Sequence, residues 1–184
     1  MSSLNTWFQK GMNNEQYLAY MQTHKENLLG VYEKFQLTEQ DKQVLSELKS
    51  KGLRTIVLTA DWCGDAMVNI PILMKIAEEA GIEIRYLVRD ENLELMDQYL
   101  TNGTARSIPI FIFIDSDGNE VGKWGPRAKV VQSFVDELRS TMPAKEDPSF
   151  DAAFKLFIDA VTTRFTTDED LWVEIKKDII ATLK

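Results

Sequence analysis

Residues 53–66 read Leu53-Arg54-Thr55-Ile56-Val57-Leu58-Thr59-Ala60-Asp61-Trp62-Cys63-Gly64-Asp65-Ala66. A β-branched, mostly apolar run ends in a short polar turn, and a helical pattern follows. The run over 53–59 has the length and composition of a buried strand. The turn carries Cys63, the only cysteine of the 184-residue chain. A helix that starts beside Cys63 aims its unpaired N–H groups and the positive end of its dipole at the sulfur. Cys63 is therefore expected to titrate below the ~8.5 of a free thiol. A Cys-x-x-Cys pair would place its second thiol at position 66, where this chain has alanine. One thiol can attack a disulfide, but no neighbour in the chain then releases the mixed disulfide.

Downstream, the helix continues through Ile72, Leu73, Ile76 and Ala77 to Gly81, with Pro71 inside it and expected to kink it. Residues 82–88 read as a second strand and 92–100 as a helix closed by Asn102-Gly103. The run 108–114 is nearly all apolar and predicts a central strand. Asp117-Gly118 is a hairpin turn signal, and 120–124 is the returning strand. Pro126 suits the first turn of a helix through Val130, Val131, Phe134, Val135 and Leu138. From residue 53 the order is β-α-β-α-β-β-α, which mixes parallel crossovers with one antiparallel hairpin.

Upstream, Tyr17, Met21, His24, Leu28, Val31 and Phe35 are spaced by three or four and predict one helix face, weakest at Gly30. Thr38 with Asp41 caps a further helix that turns Val44, Leu45 and Leu48 inward. After the polar linker 142–149, two more helices are predicted. Asp147 with Pro148 starts the first, striped by Phe150, Phe154, Phe157, Ile158 and Val161. Thr167 with Asp170 starts the second, lined by Leu171, Trp172, Ile175, Ile179 and Leu183. These stripes are too apolar for water and are expected to dock on the core, away from Cys63, or on a second subunit. The chain thus divides into an N-terminal helical extension (1–50), an α/β core (51–141) and a C-terminal helical extension packed on the core (142–184).

The net charge is −8. No basic stripe is available to displace counterions from nucleic acid or to meet an anionic membrane. No run approaches ~20 apolar residues, so no transmembrane helix is expected. The first residues carry no secretory pattern, and one cysteine suits a reducing compartment, so a cytoplasmic location is expected. His24 reads as an ordinary helix residue. Cys63 with scattered carboxylates is a poor metal set, and no metal is expected. Asp115, Asp117 and Asn119 are accounted for by the hairpin turn.

Three separated features resemble the thioredoxin superfamily: Ala60-Asp61-Trp62-Cys63-Gly64 leading into a helix with Pro71, the segment Ala105-Arg106-Ser107-Ile108-Pro109-Ile110, and the hairpin 114–120 followed by a helix. The resemblance covers roughly residues 53–140. It implies a mixed central sheet flanked by helices, with the extra terminal helices similar to those of larger bacterial thioredoxin-like proteins. It also implies a cis proline at Pro109 opposite Cys63. The departures are Ala66 for the resolving cysteine, Asp65 for the usual proline, and Val57 where the family buries an acid.

What the resemblance implies for function is a monothiol thiol-disulfide oxidoreductase. Cys63 is the nucleophile, and Trp62 offers an apolar wall. Asp65 flanks the sulfur, and Ile108 beside Pro109 offers a backbone edge. Arg106 is placed to hold a carboxylate. No permanently bound cofactor is expected. The co-substrate would be a low-molecular-weight thiol (glutathione, bacillithiol or coenzyme A), and the partners protein or small-thiol mixed disulfides. The protein itself would be a monomer or homodimer. The alternative is a redox-inactive thioredoxin-fold module that binds a protein partner through the same groove. A third reading, alanine engineered in place of a natural cysteine at position 66, is opposed by Val57 and Asp65.

Overall fold

In the computed structural model, which describes residues 2–184, the quoted run forms β1 (Arg54–Thr59), buried everywhere except partly at Arg54. It lies between β2 (Glu83–Val88), which runs parallel to it, and β3 (Ile110–Ile114), which runs antiparallel. The hairpin strand β4 (Glu120–Trp124) completes the order β2-β1-β3-β4. Strands covered on both faces read as continuous apolar runs, which is why β1 and β3 show no alternation. This is the mixed four-stranded sheet, flanked by helices and with further helices at both termini, that the resemblance implies.

The helices are α1 (Leu4–Lys10), α2 (Asn14–Tyr20), α3 (Lys25–Lys34), α4 (Glu39–Ser46), α5 (Gly64–Ala80), α6 (Leu93–Met96), α7 (Lys129–Ser140), α8 (Phe150–Thr167) and α9 (Glu169–Leu183). Helix α5 is the hub: α3, α4, α8 and α9 all pack against it. It runs unbroken through Pro71 and stops at Gly81, whose φ of 67° suits glycine. One continuous apolar core takes in Phe8 of α1, Leu28 of α3, Ile56 of β1, Leu73 of α5, Phe111 of β3 and Ile175 of α9.

Several elements differ from the sequence reading. The stripe from Tyr17 to Phe35 is carried by two helices, not one, and the break lies at 21–24 rather than at Gly30. Spacing alone missed it because Tyr17, Met21, Leu28, Val31 and Phe35 are still buried; only His24, at φ 61°, turns aside. Helix α1 gave no clear periodicity and was not anticipated. The helix expected over 92–100 shrinks to four residues, because Thr101 and Ala105 bridge and pull the chain into a tight loop. Pro126 lies outside α7, whose N-cap is Ala128, and the Gly125–Pro126 bond is cis.

At the other junction, α8 runs through Thr167, and Asp168 is the N-cap of α9, accepting from Leu171 N. On α8 the inward residues are Phe157 and Phe165, whereas Phe154 and Ile158 are exposed. A helix apolar around most of its circumference does not declare its buried face by spacing. Both C-terminal helices pack within the chain, α8 on α3, α5 and α7, and α9 on α5, α7 and β4. Trp124 at the end of β4 donates its indole N–H to Asp178 of α9 at 2.7 Å.

Candidate functional site

The site grows from the end of β1. Cys63 N–H donates to Ala60 O at 3.2 Å, and Met67 N–H donates to Cys63 O at 3.2 Å. Cys63 is thus the N-cap of α5, in extended conformation. Two contacts from the N-terminal helices brace this turn. The Asp61 carboxylate accepts from Gln22 N at 2.8 Å and Thr23 N at 3.3 Å, satisfying the backbone at the break between α2 and α3. The hydroxyls of Tyr17 and Thr59 meet at 3.3 Å. No acid lies beneath the sulfur on β1: Val57 is fully buried there, paired in register with Tyr86 and Phe111.

Opposite the sulfur runs the loop before β3. The Cys63 thiol donates to Ile108 O at 3.4 Å, and the Ile108–Pro109 bond is cis. Behind it lies the second cis bond. Gly125 has φ 122°, and a Cβ there would stand 2.1 Å from Pro109 O. Only glycine allows the two proline loops to approach this closely. Asn69 of α5 donates its side-chain amide to Pro126 O at 3.1 Å. The next residue, Arg127, is therefore aimed back at the start of α5.

There it meets Asp65. Arg127 Nε and Nη2 grip the two Asp65 oxygens at 2.7 and 2.8 Å, and Nη1 donates to Gln132 at 3.2 Å. Both side chains are largely buried, at 19% and 14% exposed. Burial pushes the Asp65 carboxyl up, and the guanidinium pulls it back only in part. The thiol feels the same balance. The N–H groups of Ala66 and Asp65 at the helix start favour the thiolate, and Arg127 helps them. Burial and then the Asp65 charge outweigh these, and the Cys63 thiol is pushed up to about 11. The expected depression is corrected: a cysteine only 7% exposed loses more by desolvation than the helix start returns.

Cys63 lines an open groove of about 410 Å³, together with Trp62, Asp65, Arg89, Arg106, Ser107, Ile108, Pro126 and Arg127. Trp62 is half exposed, with the Arg89 guanidinium 4.9 Å from its ring centre. Arg89 also donates to Arg106 O at 3.0 Å and pairs with Asp90. Arg106 holds Asp97 at 2.7 and 3.0 Å on the exposed rim.

Trp62, Cys63, Asp65, Arg106 and Ile108 thus share one groove, and Pro109 stands just behind it against Gly125. Sequence reasoning missed Arg89, and it placed Arg127 in a strand-to-helix turn, raising it as a ligand anchor without committing it to the site. Arg89 closes β2, the strand beside β1, and Arg127 follows Gly-Pro at the end of β4. Both positions become neighbours of Cys63 only through the sheet order. Among the described residues no cluster of three or more His, Cys, Asp or Glu is placed to hold a metal, and no helix is long and apolar enough to cross a membrane.

The chain is similar to two solved structures over 96% of its own length and 99% of theirs. One is a protein of unknown function from Pseudomonas aeruginosa (18% identity, TM-score 0.65) and the other an HIV epitope-scaffold (16%, 0.64). At such identity they show a shared fold that includes the terminal helices. No curated protein gives a match. The thioredoxin family model matches residues 11–139, which takes in α2 to α7, the Cys63 turn and both proline loops. The chain belongs to the thioredoxin family.

Proposed function

We propose that this protein is a monothiol thiol-disulfide oxidoreductase that exchanges a low-molecular-weight thiol with protein mixed disulfides. The observation that carries this reading is Cys63 at the start of α5, facing Ile108 O across an open groove. In the first step the Cys63 thiolate attacks the small-thiol sulfur of a client mixed disulfide. That S–S bond breaks, a Cys63–small-thiol disulfide forms, and the client leaves as a thiolate that takes up a proton. A second small thiol, as thiolate, attacks the sulfur of the first, giving a symmetrical small disulfide and free Cys63. In sum one S–S bond is exchanged for another: the client sulfur goes from disulfide to thiol, and the second small thiol goes from thiol to disulfide in its place. No step uses position 66. Glutathione, bacillithiol and coenzyme A are the candidate co-substrates, and the cytoplasm supplies the reducing setting.

The raised thiol makes a specific demand. The thiolate fraction grows tenfold per pH unit up to about 11, so activity should climb steeply through pH 7–10. A high-pKa sulfur is a better nucleophile once ionised, which offsets part of the loss at neutral pH. Purified protein should strip a small thiol from a labelled client mixed disulfide, faster with rising pH and above a Cys63→Ser control. It should not reduce insulin.

The buried, protonated sulfur also favours a second reading, a redox-inactive module that holds an extended partner segment beside Ile108. Turnover no greater than the Cys63→Ser control at pH 9, with each of the three thiols, would decide for the binding module.

A further inference from the structure

We propose that the groove over Cys63 selects a small thiol bearing at least two carboxylates, seated by Arg106 and Arg89 with Trp62 as its apolar wall; this rests on the oxidoreductase reading. The charge distribution is the first argument. The chain carries 29 acidic and 21 basic residues. Yet three of its seven arginines line this groove, against one acid, Asp65, and no lysine. Each guanidinium has a carboxylate partner, but two of those partners, Asp90 and Asp97, stand outside the groove lining. A ligand carboxylate that replaces them meets guanidinium groups already turned to the groove.

The second argument is the division of labour among the three guanidinium groups. Arg127 is occupied: its fork is filled by buried Asp65 and its remaining nitrogen by Gln132. It supplies charge and does not receive ligand. Arg106 and Arg89 are different. Arg106 and Asp97 are both 47% exposed, and Arg89, itself 20% exposed, pairs with an Asp90 that is 60% exposed; solvent reaches each carboxylate, and such ion pairs contribute little, unlike the buried Asp65. Arg106 already grips Asp97 side-on through Nε and Nη2, the geometry a ligand carboxylate would take. Arg89 is fixed by its bond to Arg106 O and its stack on Trp62, so it needs little ordering on binding. Two exchangeable forks on one wall match two carboxylates on one ligand.

The test is calorimetric binding to full-length protein carrying Cys63→Ser, which separates recognition from turnover. The probes are S-methylglutathione, its diethyl ester, and S-methyl coenzyme A as the phosphate arm. The diacid should bind at least about tenfold more tightly than the ester, and more weakly as salt rises. Arg106→Gln and Arg89→Gln should each cost the diacid about tenfold and leave the ester unchanged, with Arg106→Lys intermediate because a point charge lacks the fork. Circular dichroism confirms that each variant is folded. Equal binding of diacid and ester, indifference to both arginine variants, or preference for the coenzyme A probe would overturn the proposal. Charge-dependent binding without turnover in the Cys63 protein would sink the oxidoreductase reading and leave this one standing. Turnover that uses acid and ester alike would do the reverse.

Discussion

Cys63 is held between two opposed effects whose sum decides what the sulfur can do. Helix-start N–H groups and Arg127 favour the thiolate; burial and Asp65 favour the thiol and prevail, at about 11. The iodoacetamide alkylation rate should therefore have its midpoint near 11, and a midpoint near the ordinary ~8.5 would refute this account of the site. Asp65→Asn removes the acid and frees Arg127, and both changes stabilise thiolate, so the alkylation midpoint should fall. The same group links to stability. Its folded value lies above its unfolded one, so between the two the native state holds a proton that the unfolded chain has released. The Cys63 contribution is thus complete below ~8.5 and lost as pH rises through about 11. Unfolding titrations of the natural chain and Cys63→Ala should diverge only across that window, with the natural chain losing stability faster. At this scale the sequence told the identity of the nucleophile and its missing partner. It did not tell the sign of the shift, because desolvation depends on how deeply the turn sits and Asp65 depends on a partner 62 residues away.

Elements were legible where one local pattern decides them. The Thr38–Asp41 box caps α4 from both sides, and the run of β3 is apolar enough for only one reading. They were illegible where a distant group intervenes. The α2–α3 break exists because Asp61, beside Cys63, takes two backbone N–H groups that a continuous helix would have paired internally. Asp61→Ala should cost about 1–3 kcal/mol by denaturant unfolding, in line with losing hydrogen bonds to a charged group. A neutral result would mean that water replaces the carboxylate and the brace is dispensable. The end of β4 is the second case. Gly125→Ala puts a methyl where Pro109 O stands, at a φ that only glycine tolerates, so the two loops must separate. Arg127 then leaves Asp65. The variant should be less stable and its Cys63 alkylation midpoint higher, and an unchanged midpoint would show that Arg127 is held without Gly125.

Over the whole molecule, the terminal helices and the central sheet share one apolar core, so what lies outside the 53–140 motif still determines whether that motif folds. Trp172, 1% exposed and donating to Phe165 O at 2.8 Å, ties α9 to α8. Ile175 and Ile179 are fully buried, and Lys176, 6% exposed, reaches Asp41 of the α4 cap at 2.7 Å. The C-terminal helices thus join the start of α4 to the edge of the sheet at β4, and none of their residues lines the Cys63 groove. Removing residues after Met142 would bare α5 and β4 and leave Asp41 without its ammonium partner. Exposure of so much apolar surface should make the shortened chain aggregate or melt well below the intact one. Trp172→Ala is the milder form of the same test and should cost about 3–5 kcal/mol, the usual penalty for emptying a buried aromatic site. Cys63 alkylation in that variant, measured under conditions where it is still folded, should keep the natural pH midpoint. A full loss of stability with an unchanged thiol would assign α8 and α9 to holding the fold together. A soluble, monomeric and equally heat-stable truncation would overturn that assignment.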